Sequence, residues 1–414
     1  MTYIEFFDKT SVVNICACLT NVPERVVFIG GDLKPMQRQA ERYQQIFANR
    51  GHNIEFICKS VNKNSLSCVV ETLKDIVNTY DNIAVDLTGG EDLMLVAMGI
   101  IQERYKDKHI QLHRFNARNN TIFDCDADGC TIQKDSLSLT VEENIRAYGG
   151  DIVYVGEKEN TTYLWDMNEE FIKDIANMWD ICKENVRLWN TQIGVLEAAE
   201  SCRLECENPL ITEANISAIK EKLAVLGAKY ITNYQILNSL NVAGLIAYHY
   251  DNELITIGYK NEQVKRCLTK AGQILEMKVF SIMKSLESEP GVPYYDAMNG
   301  VFIDWDGRIH SVEENACDTE NEIDIVAMKG IVPVFISCKN GYISTDELYK
   351  LKSVAERFGG EYSRKILIAT AIDDSKDHDR HFRQRADDMN IRIIDNFVEM
   401  TDREMEKVLK NVWH

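Results

Sequence analysis

Residues 332–339 have the sequence VPVFISCK, an apolar run that ends in a lysine and predicts a buried strand. The neighbouring patterns predict, in chain order, a helix over 263–286, strands over 300–305 and 322–328, a helix over about 345–358, a strand over 365–369, a charged helix, and a strand over 391–394. The order of elements is therefore αβββαβ, which indicates a sheet with helices packed on its faces.

Two charged side chains lie on adjacent predicted strands of this C-terminal unit. Asp324 stands in the segment EIDI, and Lys339 ends the strand that follows. A hairpin between these strands brings acid and amine into one cleft at the sheet edge. There a carboxylate can hold a divalent cation through oxygen, and an amine can stabilise charge on a phosphate and help to position water. Glu276, on the preceding helix, can supply a further oxygen ligand.

These motifs resemble those of the PD-(D/E)xK, or restriction-endonuclease-like, nucleases. The resemblance covers about residues 264–400 and rests on G-x-x-L-E, I-D-I and S-C-K in that order. It implies that Asp324 is the metal-binding aspartate, Lys339 the catalytic lysine and Glu276 the helix glutamate. It also implies phosphodiester hydrolysis with a divalent cation, Mn²⁺ or Mg²⁺, as cofactor.

Ser337 departs from the family pattern, because this position usually carries a glutamate or an aspartate. A displaced acid, Glu347 on the next helix or Glu322, can substitute for it together with the backbone carbonyl of Cys338. Ser344 and Glu347 are also spaced as a capping box, which gives this glutamate a structural role. The alternative is a degenerate, purely structural domain. The candidate catalytic residues are Asp324, Lys339, Glu276, Ser337 and Glu347, and the candidate metal ligands are Asp324, Glu276 and Cys338.

The first 150 residues alternate short apolar runs with helical patterns. VVFI (26–29) is followed by Gly30-Gly31, and IAVDL (83–87) is followed by Thr88-Gly89-Gly90. Strands and helices in alternation, with glycines at the strand ends, predict an α/β unit whose mostly parallel sheet is covered on both faces. Ligands of such folds bind beyond the carboxyl ends of the strands, where glycines let backbone N–H groups approach a phosphate.

This unit resembles a CARF domain, the CRISPR-associated Rossmann-like sensor of cyclic oligoadenylates. The resemblance rests on PERVVFIG (23–30) and DLTGG (86–90), and it implies a cyclic oligoadenylate ligand. Family members commonly place a basic residue shortly after the glycines, whereas this chain has Glu91-Asp92, so positive charge has to come from Lys34, Arg118 or a second subunit. The candidate ligand-binding residues are Gly30, Gly31, Asp32, Lys34, Thr88, Gly89, Gly90, Glu91 and Arg118.

The middle of the chain predicts a helical layer followed by a helix, a second helix and a hairpin. That outline, over residues 216–259, is typical of a winged helix. In an acidic chain such a module is an interdomain adaptor or a DNA reader, and its second helix, NYQILNSL, has no Lys or Arg, which disfavours DNA reading. The predicted domains are a sensor over 1–150, an adaptor over 151–262 and a nuclease over 263–414.

A CARF-like sensor, a winged-helix-like adaptor and a nuclease, in this order, resemble the CRISPR ancillary nucleases of type III immunity over nearly the whole chain. This resemblance implies a symmetric homodimer that binds cyclic tetra-adenylate across paired sensor domains and then cuts DNA or RNA without sequence preference. One alternative is a ligand-responsive DNA-binding transcriptional regulator with a degenerate nuclease domain. Another is a ring nuclease that degrades its own signal, for which the Thr88 hydroxyl is a candidate group.

Composition disfavours several other classes. The 414 residues carry a formal charge of −19, which repels a polyanion at long range and disfavours a constitutive nucleic-acid binder. The apolar runs are too short to span a bilayer and the N-terminus does not resemble a secretion signal, so we expect a cytoplasmic protein. Twelve cysteines are too dilute for a disulfide scaffold, and neither the close cysteine pairs nor His378 with His381 predict a zinc site.

Overall fold

A computed structural model describes most of the chain. The described residues are 1–7, 12–117, 119–125, 130–132, 137–154, 161–251, 253–287, 295–307, 320–341, 343–370, 372 and 377–412. The candidate ligand residue Arg118 and the side chain of His378 lie outside them. Within these described ranges, the helices are too short or too polar to cross a membrane.

The N-terminal part of the chain folds into a seven-stranded sheet. Its strands are β1 (Thr2–Phe6), β2 (Arg25–Gly30), β3 (Glu55–Ser60), β4 (Ile83–Asp86), β5 (Gln111–Asn116), β6 (Thr121–Asp124) and β7 (Cys130–Ile132). Their order across the sheet is β3-β2-β1-β4-β5-β6-β7. The first five pair in parallel, whereas β6 and β7 add antiparallel pairs. The predicted Rossmann-like sheet is confirmed.

Helices cover both faces of this sheet. They are α1 (Val13–Asn21), α2 (Leu33–Asn49), α3 (Leu66–Thr79) and α4 (Asp92–Arg104), with a 3₁₀ turn at Lys106–Lys108. The apolar faces of α1 and α2 pack on one side, and those of α3 and α4 pack on the other. The direction of the strand order reverses between β1 and β4, so the switch point of the sheet lies there.

The middle of the chain joins the sensor sheet to a winged-helix-like module. Its elements are α5 (Val141–Ala147), β8 (Asp151–Ile152), α6 (Glu169–Glu184), α7 (Val186–Ser201), β9 (Ile211–Asn215), α8 (Ile216–Val225), α9 (Tyr234–Val242), β10 (Ile246–Tyr250) and β11 (Leu254–Tyr259). The predicted helix, helix, hairpin order is confirmed. β9 is an additional strand that pairs with β11 and completes a three-stranded antiparallel sheet.

The C-terminal part of the chain builds a six-stranded sheet. Its elements are α10 (Glu262–Leu268), α11 (Gln273–Glu287), β12 (Asp296–Asp304), β13 (Glu320–Lys329), β14 (Val332–Lys339), α12 (Asp346–Gly359), β15 (Arg364–Ala369), α13 (Asp377–Asp388), β16 (Arg392–Ile394) and α14 (Asp402–Lys410), with 3₁₀ turns at Gly360–Tyr362 and Phe397–Glu399. The strand order is β16-β15-β14-β13-β12-β8. The predicted αβββαβ order is confirmed, while the predicted domain limits remain a prediction.

The single helix predicted over residues 263–286 is wrong, because the chain forms two helices there. α10 ends at Leu268 and α11 begins at Gln273, with Gly272 at a φ of +83° between them. Glycine reaches this left-handed region at little cost, and a residue in that conformation cannot continue a right-handed helix. The break places Glu276 in the first turn of α11.

Helix α5 joins the sensor to the C-terminal sheet. The fully buried Asn144 donates through Nδ2 to the backbone carbonyl of Phe358 in α12 at 2.8 Å. On the other side, Gln39 in α2 donates through Nε2 to the carbonyl of Ala147 at 2.5 Å. One hydrophobic core is shared by α1, α2, α5, α12 and one face of the C-terminal sheet. The opposite face of that sheet packs with α6, α7 and α11.

Gly150, between α5 and β8, has no room for a side chain. A Cβ there would lie 2.5 Å from Cε1 of Phe358 and 2.7 Å from the carbonyl oxygen of Asp304. We expect Gly150→Ala to lower the free energy of unfolding by about 1–3 kcal/mol, as overpacking does. The control is Gly194→Ala in α7, where a Cβ meets nothing within 4 Å and should stabilise the helix by about 0.5–1 kcal/mol. Denaturant unfolding measures both, and equal effects would contradict a tightly packed junction.

Candidate functional site

The end of β14 brings predicted nuclease residues together. Oδ2 of Asp324, on β13, accepts hydrogen bonds from the backbone N–H of Cys338 at 2.6 Å and from the hydroxyl of Ser337 at 3.2 Å. The pairing of β13 with β14 ends at Ile325 and Ile336. The backbone N–H of Cys338, beyond the last paired residues of the two strands, therefore bonds to the Asp324 carboxylate and not to a backbone carbonyl of β13.

Lys339 lies between two carboxylates. Its Nζ is 2.9 Å from Oε2 of Glu347 and 3.8 Å from Oδ2 of Asp324. Burial lowers the pKa of Lys339, but the charges of Asp324 and Glu347 outweigh burial and raise it above the ordinary value. Burial also raises the pKa of Asp324, an effect that the ammonium of Lys339 opposes. The lysine is therefore a positively charged group in contact with acids from two different elements.

The predicted capping box of Ser344 and Glu347 is wrong. The N-cap residue of α12 is Thr345, and it makes no side-chain capping hydrogen bond. The Glu347 carboxylate instead pairs with Lys339 and, at 3.2 Å, with Lys350. Burial raises the pKa of Glu347, but the bonds to these lysines outweigh burial and lower it below the ordinary value. Glu347 is thus an ionised acid that contacts the candidate catalytic lysine.

Glu276 approaches the same cluster from α11. It is 5% exposed, and its Oε2 accepts a hydrogen bond from Nε2 of Gln273 at 3.0 Å. Gln273 also contacts Asn299, whose Nδ2 donates to the backbone carbonyl of Asp324 at 2.9 Å. Burial, reinforced by the charge of Asp324, raises the pKa of Glu276 to about 8. The folded chain therefore disfavours ionisation of this carboxyl.

Lys270 is a second lysine at this cluster, and no sequence motif indicates it. It stands between α10 and α11, and its ammonium pairs with the carboxylate of Glu322 on β13. Burial lowers the pKa of Lys270, but the charges of Glu276 and Glu322 outweigh burial and raise it. Its position depends on the helix break at Gly272. The sequence does not indicate this break, because the apolar residues on both sides keep a helical spacing.

The donor set suits a hard divalent cation. Asp324, Glu276 and the carbonyl of Cys338 offer oxygen ligands, which Mg²⁺ and Mn²⁺ prefer. Among the residues that the structure describes, no three His, Cys, Asp or Glu side chains are arranged to hold a metal ion. Because Mg²⁺ is usually held by only one or two carboxylates, its other ligands being water and phosphate oxygens, these residues offer the protein ligands that such a cation uses.

The loops after β2 and β4 lie at the carboxyl edge of the N-terminal sheet, on either side of β1. A Cβ at Gly31 would lie 2.7 Å from Cε of Lys63, and a Cβ at Gly90 would lie 2.5 Å from Cβ of Phe6. Gly90 also has a φ of +97°, a conformation that favours glycine. Gly90 therefore requires glycine, whereas a side chain at Gly31 would have to displace the flexible Lys63 side chain.

Other predicted ligand residues line the same edge. Gly30 ends β2, and Lys34 is exposed in the first turn of α2. Asp32 and Glu91 are the N-cap residues of α2 and α4, and neither side chain caps its helix. Glu91 instead pairs with Lys63 from the loop between β3 and α3. Lys63 is thus a basic residue at this edge that the glycine motifs do not indicate.

Thr88 is fixed by hydrogen bonds to its neighbours. Its backbone N–H donates to Oδ1 of Asp86 at 2.8 Å, and its hydroxyl donates to the same oxygen. The hydroxyl also accepts a hydrogen bond from the N–H of Phe115 at 2.6 Å. These bonds tie β4 to β5 and position the loop that continues into Gly89.

Buried polar groups cross the sensor sheet beneath this loop. Glu5 on β1 is in register with Asp86 on β4, which is in register with His113 on β5. The hydroxyl of Tyr3 lies 2.5 Å from Nδ1 of His113, and the thiol of Cys18 donates to Oε1 of Glu5 at 3.0 Å. Burial raises the pKa of Asp86 to about 6, and burial with the charge of Asp86 raises the pKa of Glu5. The folded chain thus disfavours ionisation of both carboxyls.

Comparison with known proteins finds relatives by fold and not by sequence. No protein-family model matches the chain, and no curated protein matches it. The structure of protein VC1899 from Vibrio cholerae matches with a TM-score of 0.72 and 15% identity, over 100% of this chain and 97% of that chain. The structure of Can2 from Sulfobacillus thermosulfidooxidans in complex with cyclic tetra-adenylate matches with a TM-score of 0.65 and 16% identity, over 99% of both chains.

The chain therefore shares its whole-length fold with these proteins. A seven-stranded Rossmann-like sheet, a winged-helix-like module and a six-stranded mixed sheet follow one another in a single chain. The predicted resemblance to the CRISPR ancillary nucleases is confirmed at the level of the fold.

The buried Asp86 predicts how stability depends on pH. Asp86 ionises near its ordinary pKa of 3.8 in the unfolded chain and near 6 in the folded chain, so the stability present below pH 4 is lost as the pH rises through 6. Asp86→Asn should remove this loss, which is roughly 3 kcal/mol because one pKa unit corresponds to about 1.4 kcal/mol. Urea unfolding of both proteins at pH 4 and pH 7 measures it. A difference between variant and wild type that is the same at both pH values would contradict the prediction.

Proposed function

We propose that the protein is a nuclease activated by a cyclic oligoadenylate, acting in type III CRISPR antiviral defence. The observation that carries the proposal is the cluster at the end of β14, where Lys339 contacts Asp324 and Glu347. This cluster stands on an αβββαβ frame like that of the PD-(D/E)xK nucleases. The whole-length likeness to Can2, solved with cyclic tetra-adenylate bound, supports a cyclic oligoadenylate as the sensor ligand.

The cluster can neutralise charge at a phosphodiester. A bound Mg²⁺ or Mn²⁺ would supply further charge neutralisation and acidify a water. Asp324 and the carbonyl of Cys338 would hold that cation, with Glu276 as a further ligand once its carboxyl loses its proton. The ammonium of Lys339 can bind a phosphate oxygen where negative charge develops. Glu347 orients this ammonium through their 2.9 Å ion pair.

The proposed assembly is a symmetric homodimer. A cyclic tetra-adenylate ring has twofold symmetry, so the same loops of two protomers can contact equivalent phosphates. The loops after β2 and β4 are the proposed contacts. The proposed substrate is DNA or RNA, cut without sequence preference, and the net charge of −19 keeps resting affinity for this polyanion low.

Asp324→Asn should reduce cleavage by roughly 100-fold or more, because the substitution removes the carboxylate charge and keeps the size of the side chain. The assay follows plasmid, single-stranded DNA and RNA in Mg²⁺ or Mn²⁺, with and without cyclic tetra-adenylate. Activator binding should be unchanged, since Asp324 lies outside the sensor sheet. A variant that cuts at the wild-type rate would overturn the proposal. Wild-type cleavage that persists in EDTA, or a wild type that never cuts, would do the same.

Glu347→Gln should slow cleavage by roughly 10- to 100-fold, the range typical of residues that position a catalytic group. The matched control is Asp346→Asn, which removes an exposed charge from the preceding residue of α12. If Glu347 replaces the acid missing at position 337, Ser337→Glu should partly restore the rate of Glu347→Gln. Normal cleavage by Glu347→Gln would show that Asp324, Glu276 and backbone oxygen suffice.

A further inference from the structure

We propose that Lys63 binds a phosphate of the cyclic oligoadenylate and that Glu91 competes with the ligand for this lysine. The inference rests on the proposed function, since it assigns residues to the same sensor site. Lys63 would also supply the positive charge that the ligand needs, because Glu91 and Asp92, and not a basic residue, follow the glycines after β4.

The stem of Lys63 lies directly on the backbone of Gly31. A Cβ at Gly31 would lie 2.7 Å from Cε, 3.0 Å from Cδ and 3.1 Å from Cγ of this lysine. The backbone of Gly31 is not in the left-handed region of φ. The turn itself therefore does not demand glycine at this position. The contact shows instead that the Lys63 stem crosses the loop that follows β2, close to its backbone.

The ion pair of Lys63 and Glu91 crosses the switch point of the sheet. Lys63 comes from the loop after β3, and Glu91 follows the glycines after β4. The strand order β3-β2-β1-β4 puts the carboxyl ends of β2 and β1 between these two loops. A ligand that occupies this edge must therefore meet the ammonium of Lys63 while it is paired with the Glu91 carboxylate.

In the ion pair of Lys63 and Glu91, a phosphate can replace the carboxylate. A phosphodiester and a carboxylate each carry one negative charge, so either can pair with the ammonium of Lys63. The side chains of Lys63 and Glu91 are 39% and 51% exposed, and an ion pair with that access to water is only weakly stabilising. Glu91 therefore holds the lysine in place without preventing a ring with several phosphates from taking it.

The test measures binding of cyclic tetra-adenylate to the full-length protein by calorimetry. Lys63→Met should bind roughly 10-fold or more weakly, because a hydrogen bond to a charged group is lost. Lys63→Arg, which keeps the charge, should retain most of the affinity. Glu91→Gln should bind roughly two- to fivefold more tightly, the size expected for an exposed ion pair. The controls are Glu71→Gln and Lys74→Met, which break an exposed pair in the middle of α3 and should bind like wild type.

The outcomes separate this inference from the proposed function. If wild type binds and Lys63→Met binds equally well while remaining folded by its unfolding midpoint, the role of Lys63 is overturned and the proposed function stands. If Glu91→Gln binds as wild type does or more weakly, competition by Glu91 is overturned. If the wild type binds no cyclic oligoadenylate, the proposed function fails and this inference fails with it.

Discussion

Two buried side-chain amides hold α5 between the N-terminal and the C-terminal sheet. Asn144 bonds a carbonyl of α12 and Gln39 bonds a carbonyl of α5, and an unmet carbonyl at either buried position would cost about 1–3 kcal/mol. α2 begins beside the glycines of the sensor edge, and α12 carries Glu347 in its first turn. A shift of α2 relative to α12 must therefore break one of these bonds or move α5, so the two sites are mechanically connected through one short helix.

Both sites hold their lysines in pairs with glutamates. Lys63 pairs with Glu91 at the sensor edge, and Lys339 pairs with Glu347 at the end of β14. In a chain with a net charge of −19 these lysines are local sources of positive potential. Each is paired with an acid of the same chain. The arrangement would reconcile an acidic protein with the two anionic ligands that we propose.

The sequence predicted the elements better than the contacts between them. β14 occupies the predicted residues 332–339, because a strand buried on both faces is a continuous apolar run with clear limits. The break at Gly272 was concealed, since the residues on both sides keep a helical apolar spacing. The approach of Lys63 to Gly31 could not be predicted either. These residues belong to different loops, which meet only because β2 and β3 are neighbours in the sheet.

Ser337 shows why the acids at the end of β14 are distributed as they are. Its hydroxyl donates a hydrogen bond to Oδ2 of Asp324 at 3.2 Å, which an ionised carboxylate at the same position could not do. An acid there would also add a third buried carboxyl beside Asp324 and Glu276, whose pKa values burial already raises. The serine instead favours the ionised form of Asp324. Glu347 pairs with the ammonium of Lys339, so this further negative charge contacts a cation.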